Sequence, residues 1–370
     1  MKKATPARRD LAPPPRRPGT LLRQEATKKE ARTTLDVVVT GGAGFIGSEL
    51  VRQLAVAGHQ VRVIDNLING HHENIEELLG PQVTLTVADV RDVDRLESCL
   101  SGADVVFHLA CLGVRHSLHS PLENHEVNAT ATLGLLHAAR TASVGRFVYV
   151  SSSEVYGSAC HGPMAEDHPT MPTTVYGASK LAGENYARSY HATWGLPTVV
   201  VRPFNAFGPR CHHEGDCGEV IPKFMLRCLA GKPMIVFGDG RQTRDFTFVG
   251  DTASGIVQAG FRTEAIGQTI NLGSGREISI SELAQRVADV CGIAAPEIEF
   301  ETARPGDLPR LCGDSTLARR IFGFTPKISL EEGLVKLCDW YLGRLRPADE
   351  LLNEEIVHNW QRAELAATLC

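Results

Sequence analysis

The sequence of 370 residues contains no apolar run long enough to span a bilayer, so a membrane-spanning helix is excluded and no membrane partner is expected. It has no repeating cysteine framework. The ten cysteines are scattered singly, which argues against a disulfide-stapled secreted scaffold and for free thiols in a reducing cytoplasm. It has no strong excess of either charge. The net charge of −5 gives no reason to expect a nucleic-acid partner. It has no internal repeat, which excludes a solenoid. What it does have is ordinary apolar content, 43%, over a length that buries a full core.

Residues 1–34 are rich in Lys, Arg and Pro, including Pro13-Pro14-Pro15-Arg16-Arg17-Pro18, and read as a disordered basic tail. No apolar segment follows Arg16-Arg17 and no amphipathic helix stands out. Neither an export signal nor a transit peptide is expected.

The next stretch organises the rest. Val37-Val38-Val39 reads as a buried parallel strand. Glycines then fall at Gly41, Gly44 and Gly47, and Phe45, Ile46, Leu50, Val51 and Leu54 recur at helical spacing. Strand, glycine turn and helix together form a pyrophosphate cradle. Residues without a Cβ let the backbone come close, and the helix start supplies free N–H groups. A second strand ends in Asp65, 18 residues past Gly47. That is near the roughly 20 expected for the acid that holds an adenosine ribose, and a carboxylate there disfavours a 2′-phosphate. NAD is therefore expected rather than NADP.

Strands are expected at 37–40, 61–65, 83–87, 105–109, 146–151 and 198–202, and helices at 45–57, 92–100, 123–141 and 176–193. The alternation predicts an α/β fold, a Rossmann-type doubly wound parallel sheet. Asp89-Val90, after the third strand, suits an adenine ring, although Asp89 also suits a helix cap. Leu109 and Ala110 end the fourth strand, where small residues admit a cofactor. The NAD-binding domain is placed at 35–202. A smaller C-terminal substrate-binding region, interleaved with the last strands, is placed at 203–346, and a polar helical tail at 347–370.

The fifth strand runs into Ser151-Ser152-Ser153-Glu154, at the strand end where such sheets bind ligands. Tyr176 and Lys180 lie one helical turn apart. A neighbouring ammonium is expected to lower the phenol's pKa, so that Tyr176 takes a proton from a sugar hydroxyl as hydride leaves the same carbon. Ser152 is placed to hold the same oxygen. Arg244 lies in a loop rich in arginine, Gly240-Arg241-Gln242-Thr243-Arg244, whose guanidinium forks suit phosphate oxygens. Arg241 is read as a surface partner of Asp239.

In combination, Thr40-Gly41-Gly42-Ala43-Gly44-Phe45-Ile46-Gly47, Asp65-Asn66, Asp89-Val90, Tyr176-x-x-x-Lys180, Arg202-Pro203-Phe204-Asn205 and Arg304-Pro305-Gly306-Asp307 resemble the extended short-chain dehydrogenase/reductase family, the nucleotide-sugar epimerases, dehydratases and decarboxylases. The resemblance covers about residues 37–346. It implies a tightly bound NAD, a nucleoside-diphosphate sugar substrate and a homodimer packed through the helices near 123–141 and 176–193. It makes Ser152, Tyr176 and Lys180 catalytic, and gives Ser153, Asn205, Arg244, Arg304 and Asp307 to the substrate. UDP is the nucleotide implied around Val220-Ile221-Pro222-Lys223.

Glu154 departs from simple 4-epimerases, which carry a small or hydroxyl residue there. In 4,6-dehydratases and UDP-glucuronate decarboxylases of the family, a carboxylate at this point belongs to the chemistry. Gly113-Val114-Arg115-His116-Ser117 instead resembles the loop of UDP-glucuronate 4-epimerases, where Arg115 would face a sugar carboxylate. C4 epimerisation is the leading expectation, with elimination or decarboxylation through Glu154 close behind. A non-catalytic NAD-binding sensor is disfavoured because Tyr176 and Lys180 are both present. Cys211-His212-His213-Glu214-Gly215-Asp216-Cys217 holds zinc-type ligands, but its spacing is not that of a zinc finger, and it follows Pro209 where the family varies. No metal is expected there.

Overall fold

The structure is a computed structural model that describes residues 34–361. The basic tail expected over residues 1–34 falls, but for its last residue, outside the described residues, as does the end of the expected C-terminal tail.

The amphipathic patterns of the sequence become a three-layer sandwich. Seven strands are involved: β1 (Asp36–Thr40), β2 (Gln60–Asp65), β3 (Val83–Val87), β4 (Val105–His108), β5 (Arg146–Val150), β6 (Thr198–Pro203) and, much later in the chain, Thr269–Leu272. They form one sheet in the order β3-β2-β1-β4-β5-β6 followed by Thr269–Leu272, with every neighbouring pair parallel. Strand order reverses between β1 and β4, the switch point outside which such sheets bind ligands. Val37, Val38 and Val39 are fully buried, because helices cover both faces. On one face lie α1 (Phe45–Val56) and Val249–Phe261. On the other lie α2 (Val93–Leu100), the helix Ala131–Thr141 and the long helix Val175–Trp194. The expected strands match within a residue or two.

The single helix expected over 123–141 is instead Pro121–His125, a π turn at Glu126–Thr130, and Ala131–Thr141. The cause is local. Asn124 donates from Nδ2 to the carbonyls of Leu112 and Gly113, and Asn128 bonds both the N–H and the carbonyl of Leu112. The widened turn thereby anchors the loop after β4 at the mouth of the crevice.

After β6 a second apolar cluster forms around Phe207, Phe224, Leu283 and Leu334. There β7 (Asn205–Phe207), Glu277–Ser279 and Arg310–Leu311 pair with Thr243–Phe248. The stretch after Pro347 differs from a polar helix. Among the described residues it is helical only over Ala348–Leu352, Leu351, Leu352 and Ile356 are buried, and the amide of Asn359 donates to the carbonyls of Gly215, Asp216 and Gly218.

One buried ion pair ties the long helix to the sheet. Arg202 grips Glu184 at both oxygens, 2.8 and 2.6 Å, with the two side chains 2% and 0% exposed. Ser151 and Arg188 donate to the same carboxylate. Removing one partner strands a buried charge. Arg202→Met is expected to lower unfolding free energy by about 3 kcal/mol, the low end for such a break because Arg188 remains. Urea titration reads this directly, and a loss below about 1 kcal/mol would contradict it.

Candidate active site

The site begins at the glycine turn. A Cβ at Gly47 would lie 2.0 Å from the carbonyl oxygen of Gly41, and one at Gly41, whose φ is +71°, would lie 2.6 Å from the nitrogen of Ala110. Only hydrogen fits at either place. Gly44 precedes α1 with no side chain capping the first turn, so the helix start is open toward the crevice. Asp65, 7% exposed, accepts from the N–H groups of Ala43 (3.0 Å) and Leu67 (2.9 Å). Burial pushes its carboxyl up, and those N–H groups oppose the shift. Asn66 donates to Asp89 at 3.1 Å, and Arg91 brings the Asp89 carboxyl down to about 2. The cap of α2 is Asp92, not Asp89, which leaves Asp89 to the Asn66 and Arg91 contacts. Gly41, Gly44, Phe45, Ile46, Gly47, Asp65, Asn66, Val90, Leu109 and Ala110 line one cavity of about 530 Å³. The close-approach turn, the open helix start and the acid at the end of β2 fit a dinucleotide.

The same cavity continues past the end of β5. Ser152 caps a short turn, accepting from the N–H of Glu154 at 3.2 Å. Thr174 caps the helix Val175–Trp194 and sets Tyr176 in its first turn. One turn on, Lys180 is buried and donates from Nζ to the carbonyl of Val150 at 2.9 Å, which fastens the helix to the end of β5. Ser152, Ser153, Glu154, Tyr176 and Lys180 all line the cavity. Burial pushes the Tyr176 phenol well above its ordinary value, and Ser152 opposes that shift. The Lys180 Nζ, bonded to the Val150 carbonyl, sits 6.0 Å from the centre of the Tyr176 ring.

At the far end three guanidinium groups meet. Arg244 and Arg304 both donate to one oxygen of Asp307, at 2.5 and 2.9 Å, and Arg244 also bonds the Leu308 carbonyl. Asp307 therefore positions the two arginines. Arg115 takes part in no hydrogen bond or ion pair among the described residues. Burial, with Arg304 nearby, brings it down to about 10, while Glu219 holds it up. Burial raises the carboxyl of Glu154, and Arg244, Arg304 and Arg115 oppose that shift. The Oδ1 atom of Asn205 is buried without a partner among the described residues. Arg115, Asn205, Val220, Arg244 and Arg304 also line a side cavity of about 100 Å³. Lys223 lines it too, but its ammonium donates to the Ile356 carbonyl at 2.7 Å, and burial brings it down to about 7. Arg241 is 89% exposed beside Asp239 and stands apart from the site.

Sequence reasoning missed Glu219, which faces Arg115, and Val357 and Asn359, which wall the side cavity from the C-terminal segment. Glu219 follows a cysteine-histidine loop that drew attention away from it. Nothing local marks the C-terminal pair, whose position depends on packing against residues more than a hundred positions earlier.

Residues 37–273 match the NAD dependent epimerase/dehydratase family. A UDP-glucose 4-epimerase of Mycolicibacterium smegmatis is 38% identical over 82% of this chain and 97% of its own. UDP-glucuronic acid decarboxylase 1 of Arabidopsis thaliana is 35% identical over 86% of this chain and 72% of its own. Among solved structures, a UDP-glucuronic acid 4-epimerase mutant from Bacillus cereus, with NAD and a fluorinated UDP-glucuronic acid, superposes with a TM-score of 0.78 at 31% identity, covering 83% and 98%. With the sheet, the glycine turn and the serine–tyrosine–lysine cluster in place, the chain belongs to the NAD dependent epimerase/dehydratase family of enzymes.

Proposed function

We propose that this enzyme inverts C4 of a UDP-hexose or UDP-hexuronate through a transient 4-ketone. The observation that carries the reading is the joining, in one cavity, of Ser152, Tyr176 and Lys180 with a cluster of three arginines. The glycine turn and Asp65 hold NAD, which when bound supplies a reversible hydride acceptor. Tyr176 accepts the proton of the C4 hydroxyl, and Ser152 holds that oxygen against it. Lys180 keeps the helix docked on β5 and keeps positive charge near the phenol. Arg244 and Arg304, steadied by Asp307, bind the diphosphate, and Asn205 and Val220 bound the nucleotide. Arg115 and Ser153 face the sugar. The unpaired guanidinium of Arg115 supports a substrate that carries a carboxylate.

A second reading, decarboxylation or 4,6-elimination, has one observation in its favour. Glu154 lines the same cavity, and burial raises its carboxyl against the opposing pull of Arg244, Arg304 and Arg115. The free state of all nine cysteines among the described residues supports a cytoplasmic location. Leu122, Leu133 and Val175, exposed on the helices near 121–141 and 175–194, support a homodimer, which a monomer mass in light scattering would contradict.

NMR of products formed from UDP-glucose, UDP-glucuronate and UDP-N-acetylglucosamine in deuterated water separates the two readings. The expected product is a C4 epimer without deuterium at C5. A pentose or a 4-keto-6-deoxy sugar carrying solvent deuterium would overturn epimerisation. Tyr176→Phe is expected to cut kcat by about 10²-fold or more while NAD stays bound, and unchanged turnover would remove Tyr176 from the chemistry. Under epimerisation, Glu154→Gln is expected to cost less than about 10²-fold in kcat, whereas loss on the scale of the tyrosine variant would favour the second reading.

A further inference from the structure

At the edge of the substrate cavity, one side-chain cluster joins two segments far apart in sequence. His71 lies in the loop after β2, and its backbone N–H donates to the carbonyl of Ala43 at 3.0 Å, so it is fixed to the glycine turn. His212 and Glu214 lie in the loop of residues 208–219 beside the substrate cavity, and Glu219 at its end faces Arg115. Nε2 of His71 and Nδ1 of His212 converge on the same oxygen of Glu214, at 3.1 and 2.6 Å. The other oxygen is held by the backbone N–H of His213 at 2.8 Å. One ligand atom from each residue lies within 4.8 Å of the other two. The cluster is open to entry, since the side chain of His71 is half exposed.

We propose that His71, His212 and Glu214 form a site for one divalent first-row cation of the zinc class. Two imidazoles and one carboxylate are a three-ligand set that zinc accepts, with water completing a tetrahedron. Both segments are already held by hydrogen bonds that do not involve the ligand atoms. Binding therefore needs only the exchange of the shared Glu214 contacts for metal bonds. The ligands are not those the loop's own sequence suggests. Cys211 is fully enclosed, and burial drives its thiol well above the ordinary value, which disfavours the thiolate a metal needs. The third ligand comes from 143 positions away from Glu214. A cation here clamps the wall of the substrate cavity to the turn that cradles the cofactor, so its effect is to hold that loop closed.

The test is titration of the chelator-treated full-length protein with zinc alone, followed by calorimetry and by thermal unfolding. The expected result is one equivalent bound with a raised Tm. Affinity is expected to fall by at least about tenfold in His71→Ala and in Glu214→Gln, and to stay unchanged in His72→Ala, whose side chain is exposed beside the site. His71→Ala removes a half-exposed side chain and keeps the backbone bond to Ala43, so its fold serves as a control. Absence of zinc binding by the wild-type protein, or equal affinity in His71→Ala, would overturn the proposal.

Discussion

The active cavity depends on a backbone crossing with no space for a side chain. Between Gly41 and Gly47 the first turn of α1 lies against the end of β1, and Gly41 itself lies against Ala110 just after β4. Any larger residue forces those strands and the helix apart, and with them the crevice at the point where strand order reverses. The rest is fastened to that frame. Asp65 reaches back to the turn through the N–H of Ala43, and Lys180 binds the tyrosine helix to the last residue of β5. Beneath them the Arg202–Glu184 pair locks the same helix to β6. A phenol, a hydroxyl and an ammonium thus meet at one end of a dinucleotide cradle without any of them lying on a free loop.

Charge is distributed with the same economy. Three guanidinium groups share Asp307, Glu154 and Glu219 as nearby acids, yet among the described residues Arg115 ends without an ion pair. Keeping a half-buried cation unpaired is costly unless something anionic completes it. The diphosphate and, for a hexuronate, the sugar carboxylate are the anions that a nucleotide-sugar enzyme brings to such a place. His108 shows the opposite solution. Bonded to Thr40 and Thr132 in the core, it is brought down to about 3 by burial and stays neutral.

Much of this was legible in the sequence. Period-2 and period-3.6 patterns, punctuated by glycine, located the six early strands and the helices around them, and the strand ends then put Ser152 and Asp65 where the sheet binds ligands. What was not legible depends on contacts across the chain. The π turn at Glu126–Thr130 arises because Asn124 and Asn128 reach Leu112 and Gly113. The four-residue spacing put Lys180 beside Tyr176, but spacing does not say that Nζ turns to Val150. Lys223 lines the side cavity, but the sequence does not say that its ammonium bonds the Ile356 carbonyl in the C-terminal segment. The meeting of His71 with Glu214 follows from two loops that only the folded sheet brings together.

The central claim is that the glycine crossing creates the cofactor site and that the acid at Asp65 selects NAD. The most direct test is the nucleotide released when purified protein is denatured, identified and counted by chromatography, for the wild type and for Gly47→Ala. The account expects NAD from the wild type and none retained by the variant, whose added Cβ collides with the carbonyl oxygen of Gly41. NADP from the wild type, or NAD retained equally by Gly47→Ala, would contradict it.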